Sequence, residues 1–262
     1  MSIESIRKRF EKELAQNPTL YHSIDIERVR NEDWQVKRFL DEFEGDEDKA
    51  FELLCKALRW KKEIGIHEHD DQYFPKEFWE FSGSEICGQD KNGRLIQLEV
   101  MRSQHIFKEL ISVHRQFLAH NMERIDRQAG EKGFVLVTDV KGAGVSNFDI
   151  DIFRTKIEFN QYFPGSLKQM LVVDLPWLLN PIMKIIVGLM NPKLKAILVY
   201  VKREQLLEYV EKDQIPVWLA GTREKSLMPE NLIPLEKCYK KFDVNEKFVD
   251  YYYNFHKIKR SA

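Results

Sequence analysis

Two glycines that follow an apolar run are the first residues whose types and spacing suggest chemistry. Residues 137–149 are VTDVKGAGVSNFD, and Gly142 and Gly144 stand between a strand-like and a helix-like segment. Such a turn can admit the pyrophosphate of a dinucleotide to a helix N-terminus, but Asn147 replaces the third glycine of that motif. Asp174, the candidate for binding the ribose, lies 30 residues after Gly144, where about 20 is usual. We expect a flexible turn and keep a nucleotide-dependent enzyme as an alternative.

Histidine pairs and catalytic motifs offer little more. His67 and His69 are two residues apart in a charged segment, a spacing that does not put both imidazoles on one face of a helix. For these two residues we expect an exposed loop and no metal. The sequence contains no GxSxG nucleophile elbow, no HExxH zinc motif and no P-loop. We therefore expect a protein that is not an enzyme and has no cofactor.

Composition and charge narrow the class of protein and its partners. With 43% hydrophobic and 32% charged residues, the 262-residue chain is typical of a globular protein. Lys and Arg number 41 against 42 Asp and Glu, and this balance does not indicate a nucleic-acid partner. Cys55, Cys87 and Cys238 form no CxxC pair, which fits a reducing compartment, and the start MSIESIRKRFEKEL is not typical of a signal peptide. We expect a cytoplasmic protein.

Two kinds of pattern divide the chain. In the first 80 residues, Ser23 and Asp25 are candidate caps of one helix, and Asp46 is the candidate cap of a second that ends at Gly65. Short Val- and Ile-rich runs then alternate with helical segments, at 94–100, 133–140, 169–175 and 196–201. This alternation predicts an α/β fold in which a helical N-terminal region precedes a mostly parallel sheet.

The segment NPIMKIIVGLM, residues 180–190, is apolar on nearly every side of a helix. Asn180 is a good cap and Pro181 suits the first turn, while Lys184 and Gly188 are the positions left to face water. A helix of this length spans about 16 Å, roughly half of a bilayer's hydrocarbon core, so it does not cross a membrane. Two interpretations fit: a buried core helix, or a gate that covers a cavity and opens against an apolar surface.

Several segments resemble the Sec14-like, or CRAL-TRIO, family of lipid-transfer proteins. The helical N-terminal part of that family is similar to WQVKRFLDEFEGDEDKAFELLCKALRWKKEIG, and two of its strand motifs are similar to DKNGRLIQL and VLVTDVKGAG. Its order of tyrosine-proline, strand, gate helix and final strand resembles YFPGSLKQMLVVDLPWLLNPIMKIIVGLMNPKLKAILVY. The resemblance spans roughly residues 30–222 and favours the gate interpretation of the apolar helix.

The resemblance implies a pocket for one hydrophobic ligand between the sheet and the gate helix. By position, the residues implied to bind the ligand are Leu98, Val100, Phe134, Leu136, Thr138, Phe153, Ile157, Ile182, Ile185, Ile186, Leu189 and Lys195. The apolar side chains among them would suit an ordinary core equally well, because pocket and core have the same composition. The implied function is binding one lipid or other hydrophobic molecule and exchanging it at membranes. The alternative is a lipid-sensing or tethering module without transfer.

The head-group positions depart from the family's pattern. Two polar pairs of the phosphatidylinositol-binding members are replaced in this sequence by Phe43 and Glu44 and by Gly165 and Ser166. An anionic phosphate beside Glu44, without an arginine to form paired hydrogen bonds, would be poorly compensated. The Ser-x-Thr of phosphatidylcholine binders is likewise replaced by Phe134-x-Leu136. We therefore expect a carrier that is not selective for phosphatidylinositol.

The C-terminal segment, residues 237–262, combines seven basic and three acidic residues with the aromatic run Tyr251 to Tyr253. One interpretation is a helix docked by its aromatic side chains, and the other is a transient attachment to anionic membrane. The patterns together predict a helical region at 1–80, a lipid-binding domain at 81–222 and a C-terminal extension at 223–262.

Overall fold

The computed structural model describes residues 2–81, 84–224 and 228–260, and within them the chain forms eleven α-helices and five strands. The helices are α1 (Ile3–Gln16), α2 (Ser23–Asn31), α3 (Asp33–Glu42), α4 (Glu47–Glu63), α5 (Lys76–Phe81), α6 (Ile111–Ala129), α7 (Ile150–Asn160), α8 (Asn180–Leu189), α9 (Pro192–Ala196), α10 (Leu235–Cys238) and α11 (Glu246–His256). The strands are β1 (Ser84–Gln89), β2 (Leu95–Val100), β3 (Phe134–Asp139), β4 (Leu167–Val173) and β5 (Leu198–Val201). The predicted α/β class, with a helical N-terminal region before the sheet, is confirmed.

The sheet has its strands in chain order, β1-β2-β3-β4-β5. β2, β3, β4 and β5 are parallel to one another, and β1 is antiparallel to β2. The four runs rich in Val and Ile become the four parallel strands, as predicted. The sequence did not indicate β1, because its six residues, SEICGQ, are short and mixed and carry a bulge between Cys87 and Gln89.

The N-terminal helices differ in detail from the prediction. The expected first helix is two helices, because the backbone at Glu32 is extended (φ −115°, ψ 102°) between α2 and α3. Ser23 and Asp25 do not cap α2, since the His22 side chain accepts the hydrogen bond from the amide of Ile24. The cap of α4 is confirmed: the Asp46 carboxylate accepts the amide hydrogen of Lys49 at 3.1 Å.

Buried ion pairs join the N-terminal helices to α6. Glu123 of α6 contacts Lys61 of α4 at 2.8 Å and also pairs with Arg28 of α2. Burial alone would raise the pKa of Glu123, but the charges of Lys61 and Arg28 lower it to about 2. Arg38 of α3 makes two hydrogen bonds to Asp126, at 2.8 and 2.9 Å. Losing one partner of such a pair leaves a buried charge, a change that costs about 3–5 kcal/mol.

The two histidines expected in an exposed loop do lie in a loop, after α4, but both are partly buried. The His67 Nε2 atom lies 2.8 Å from a carboxylate oxygen of Asp25, and the His67 side chain is almost fully buried. His69 stacks on Tyr73 with ring centroids 3.5 Å apart. The exposure predicted for His67 is therefore wrong, because a buried carboxylate on α2 holds the ring.

The two faces of the sheet are covered by different parts of the chain. One face packs against the segment 203–219, whose Leu206, Val210, Ile215 and Leu219 are fully buried with strand residues such as Leu98 and Val137. The other face lies under α6, α7 and α8. Side chains alternate along each strand, so successive residues of β2 to β4 belong to different layers.

The C-terminal helix α11 is docked on α5 and α6. Its Phe248, Val249, Tyr252 and Tyr253 join a buried cluster with Phe74, Phe78 and Phe117. The hydroxyl of Tyr253 donates to the buried carboxylate of Glu77, and Glu77 also accepts the amide of Leu235 at 2.8 Å. Tyr252 and Tyr253 of the aromatic run are therefore used in packing, whereas Tyr251 is 55% exposed. The predicted boundaries at 80/81 and 222/223 stay predictions, and Met1, residues 82–83, residues 225–227 and residues 261–262 lie outside the described residues.

Candidate functional site

An internal cavity separates the sheet from α6, α7 and α8. The cavity volume is about 130 Å³. Its apolar lining comprises Leu118, Met122, Phe134, Leu136, Val140, Phe148, Phe153, Ile157, Phe159, Leu167, Met170, Val172, Met183, Ile186, Met190, Leu194 and Leu198. Its polar lining comprises Ser84, Gln97, Glu99, Asn121, Thr138, Lys156 and Asn160. A mainly apolar cavity with a few polar groups is the usual form of a site for small hydrophobic molecules.

Half of the residues implied by the family resemblance meet in this cavity. They are Phe134, Leu136, Thr138, Phe153, Ile157 and Ile186. Leu98 does not line it, because alternation along β2 turns Gln97 and Glu99 toward the cavity and Leu98 into the opposite layer. Val100, at the end of β2, is half-buried and also lies outside the lining. Gln97 and Glu99 are polar residues within the run RLIQLEV, and their positions could have indicated which side of the strand faces the cavity.

The gate helix α8 faces the cavity with one stripe only. Met183 and Ile186 are buried and line the cavity, as expected for side chains three residues apart on a helix. Ile182 and Leu189 are half-buried outside the lining, and Ile185 is 54% exposed. Lys195 of α9 is exposed and does not reach the cavity lining either. The apolar composition of α8 did not reveal which of its sides turns inward.

A groove on the outer side of α8 separates this helix from β5. Its volume is about 640 Å³. The lining residues are Leu175, Asn180, Met183, Lys184, Val187, Tyr200, Val201, Lys202 and Gln205. Met183 lines both the groove and the cavity, so one layer of side chains on α8 separates the two spaces.

Polar contacts occupy the end of the cavity near β2. The Lys156 ammonium of α7 donates to one Glu99 carboxylate oxygen at 2.8 Å. Gln97 donates to the hydroxyl of Ser84 at 3.0 Å. The Asn160 side-chain oxygen is buried and has no hydrogen-bond partner within the described part of the chain. This end of the cavity is therefore hydrophilic and incompletely satisfied.

The turn after β3 carries ion pairs at the position where a dinucleotide would bind. The Asp139 carboxylate pairs with Arg102 at 2.7 Å and with Arg203 at 2.8 Å, and it is fully buried. Asp174 pairs with Arg203 at 2.9 Å, so this acid is already engaged. The Asn147 amide accepts from the Gly144 N–H at 2.9 Å and ties the turn together. These contacts account for the acids and for Asn147 without a nucleotide.

Metal and membrane-spanning features are absent from the residues that the structure describes. No three His, Cys, Asp or Glu side chains within 2–81, 84–224 and 228–260 come together as metal ligands. In the same ranges, no helix has the length and the apolar character needed to cross a bilayer.

Comparison with known proteins connects the fold to one family. The sequence model of the CRAL/TRIO domain matches residues 84–221. The phosphatidylinositol/phosphatidylcholine transfer protein SFH13 of Arabidopsis thaliana is 25% identical over 194 residues, which are 65% of this chain and 30% of that protein. The phosphatidylinositol transfer protein CSR1 of Eremothecium gossypii is 24% identical over 203 residues, which are 71% of this chain and 46% of that protein. The chain thus spans less than half the length of these two relatives.

A solved structure shows the same fold over nearly the whole chain. The crystal structure of Sfh5 matches with a TM-score of 0.64 at 16% sequence identity, covering 95% of this chain and 97% of that one. The match includes the N-terminal helices as well as the sheet, because the coverage extends well beyond residues 84–221.

Two leucines on neighbouring strands test which face of the sheet borders the cavity. Leu136→Phe adds volume where space is available, so we expect its melting temperature to stay within about 2 °C of the wild type. Leu98→Phe adds the same volume to a packed layer, where overpacking costs about 1–3 kcal/mol. Thermal unfolding followed by circular dichroism measures both. Equal destabilisation by the two substitutions would contradict the placement of the cavity.

Proposed function

This chain belongs to the CRAL/TRIO domain family, and from that premise we propose that it holds one lipid or other hydrophobic ligand beneath α8 and exchanges it at membrane surfaces. The observation that carries the proposal is the cavity itself, which is lined mainly by apolar side chains and covered by a helix with water on its other side. The activity proposed is binding and exchange, without a chemical step.

Exchange requires α8 to move, and the size of the cavity supports this. Pockets for ligands of drug size are usually about 300–1,000 Å³, whereas the space under α8 is about 130 Å³. A long-chain ligand therefore needs a wider cavity than this conformation provides. The groove beside α8 leaves the helix free to shift, and Gly188 has no atom within 4 Å of the position that a Cβ would occupy.

Water opposes the opening of α8, and a membrane removes this opposition. Exposing Met183 and Ile186 costs roughly 1.5–3 kcal/mol each in water. Trp177 and Leu178, just before α8, are already 80% and 61% exposed. Tryptophan is favoured at membrane–water interfaces. We infer that this apolar edge, made of Trp177, Leu178 and Ile185, contacts the bilayer when α8 opens, which makes the protein a peripheral and transient membrane binder.

Phosphatidylinositol selectivity is not part of the proposal, although two relatives bear that lipid in their names. Gly165 borders a groove lined by three basic residues (Lys37, Arg38, Lys168) and three acidic residues (Asp41, Glu42, Glu131). Lys37 pairs with Asp41 at 2.6 Å, and Arg38 is engaged by Asp126. Ser166 is buried and donates to Asp126. The groove therefore offers no net positive charge to a phosphate.

A lipid-sensing or tethering module without transfer is the alternative function. It would use the same cavity but would not need repeated exchange at membranes. Movement of lipid between two vesicle populations distinguishes the two functions, because only a carrier increases the rate of transfer.

Exposed apolar residues at the edge of α8 test the exchange step. Trp177→Asp and Ile185→Asp place a charge on the surface that we expect to meet the bilayer, and each should slow lipid transfer between vesicles by about tenfold, because a charge is costly in an apolar layer. The control is Ile24→Asp, on an exposed position of α2. Far-ultraviolet circular dichroism should show unchanged helicity in all three. Normal transfer by both edge variants would contradict the proposal.

Head-group preference is tested with lipids that share their acyl chains. Vesicles containing phosphatidylinositol and phosphatidylcholine in equal amounts are incubated with the protein, and the lipids re-isolated with it are quantified by mass spectrometry. We expect no enrichment of phosphatidylinositol, because Glu44 and the balanced groove do not compensate its phosphate. Selective recovery of phosphatidylinositol would contradict the prediction, because the departures from the family's head-group pattern would then not affect lipid selectivity.

A further inference from the structure

Five of the seven polar side chains that line the cavity come from β1, β2 and α7. Across the sheet, its lining changes from Ser84, Gln97 and Glu99 on β1 and β2 to Met170, Val172 and Leu198 on β4 and β5. Lys156 of α7 reaches Glu99, and Asn160 follows Lys156 by one helical turn. At the opposite end, Met183 and Ile186 of α8 supply only apolar atoms. The cavity therefore has a polar end beside β2 and an apolar end beneath the gate helix.

A purely hydrocarbon ligand does not account for this polar end. Burying an uncompensated polar group destabilises a protein, and buried ion pairs often stabilise a fold no better than hydrophobic residues of similar size. Glu99 is only 5% exposed, yet it stands beside a cavity and not in a packed core. The Asn160 oxygen is buried without a partner in the described residues. Burial of these polar groups becomes favourable when a bound ligand supplies hydrogen-bonding or charged groups that pair with them.

The unused hydrogen-bonding capacity of the polar end has a definite pattern. The Lys156 ammonium has three N–H donors, and one of them goes to Glu99 Oε1. The second Glu99 oxygen is not used by Lys156, and the Asn160 oxygen remains as a buried acceptor with no bond to it from the described residues. Glu99 and Lys156 together have no net charge. A complementary head group is thus neutral overall, with an anionic part for Lys156 and a cationic N–H donor for Glu99 and Asn160.

We propose that the polar end of this cavity binds the head group of a zwitterionic lipid with a primary ammonium, of the phosphoethanolamine type. The phosphate accepts from Lys156, and the ammonium donates to Glu99 and Asn160, while the acyl chains extend toward α8. The proposal rests on the proposed function, because it names the ligand class of the same cavity.

Other lipid head groups match the polar end less well. A choline head has the same charges but no N–H, so the Asn160 oxygen would stay unsatisfied. An inositol phosphate carries a net negative charge toward Glu99. A diacylglycerol head can donate a hydrogen bond, but it has no anionic group for Lys156.

A methylation series of lipids tests the proposal on the unmodified protein. Vesicles contain, at equal mole fractions, dioleoyl phosphatidylethanolamine, its N-methyl and N,N-dimethyl derivatives, dioleoyl phosphatidylcholine and dioleoylglycerol. After incubation the protein is re-isolated, and its bound lipids are quantified by mass spectrometry. Each methyl group removes one N–H donor at constant charge, so the bound amount should fall along the series, by about tenfold or more from the first lipid to phosphatidylcholine. Equal recovery of phosphatidylethanolamine and phosphatidylcholine would overturn the proposal. Equal recovery of phosphatidylethanolamine and dioleoylglycerol would also overturn it.

Two variants and one control test whether a preference for one head group depends on the polar end of the cavity. Asn160→Leu removes the unpartnered acceptor with little change in size, and it should bring the ratio of phosphatidylethanolamine to phosphatidylcholine close to one. Gln161→Leu, at the exposed neighbouring position, is the matched control and should keep the wild-type ratio. The double variant E99Q/K156M should lose the preference for phosphatidylethanolamine over dioleoylglycerol. An unchanged wild-type ratio in folded Asn160→Leu protein would contradict the assignment.

The same experiment separates this inference from the function on which it rests. Recovery of lipid without preference along the methylation series overturns the head-group assignment and leaves the carrier function intact. Recovery of none of the five lipids, nor of any lipid carried over from expression, counts against both.

Discussion

The packing of α8 against the sheet is the contact on which the rest of this structure depends. Met183 and Ile186 close one side of the cavity and are nearly unexposed, while the same helix has a groove and an exposed Ile185 on its outer side. Burial of a few apolar side chains keeps the helix in place in water through the hydrophobic effect. Such a contact weakens where water is replaced by an apolar medium, which couples opening to the membrane.

The remainder of the fold is arranged so that this one contact can change. Buried ion pairs such as Lys61 to Glu123 and Arg38 to Asp126 fix the N-terminal helices to α6. The opposite face of the sheet is filled by residues 203–219, and α11 is docked through Tyr252 and other buried side chains. These parts are held by contacts that are costly to break, whereas α8 is bordered by open space on two sides.

The sequence indicated the elements better than it indicated which side chains share a space. Runs of Val and Ile predicted the four parallel strands, since such side chains are typical of strands buried on both faces. Whether Leu98 or Gln97 faces the cavity depends on register, and a shift of one residue reverses every side chain. The pair of Glu99 and Lys156 could not be predicted, because it joins a strand and a helix that are far apart in the chain. The inward stripe of α8 was likewise hidden, since the helix is apolar on nearly all sides.

Photo-cross-linking with a lipid that carries a diazirine in its acyl chain tests the central claim most directly. The protein takes up the lipid from vesicles, is irradiated and digested, and the modified peptides are identified by mass spectrometry. We expect one lipid per chain, with cross-links on β3 residues such as Leu136 and on α8 at Met183 or Ile186, which face each other across the cavity. Cross-links confined to surface helices such as α2 or α11, or no cross-link at all, would contradict the account.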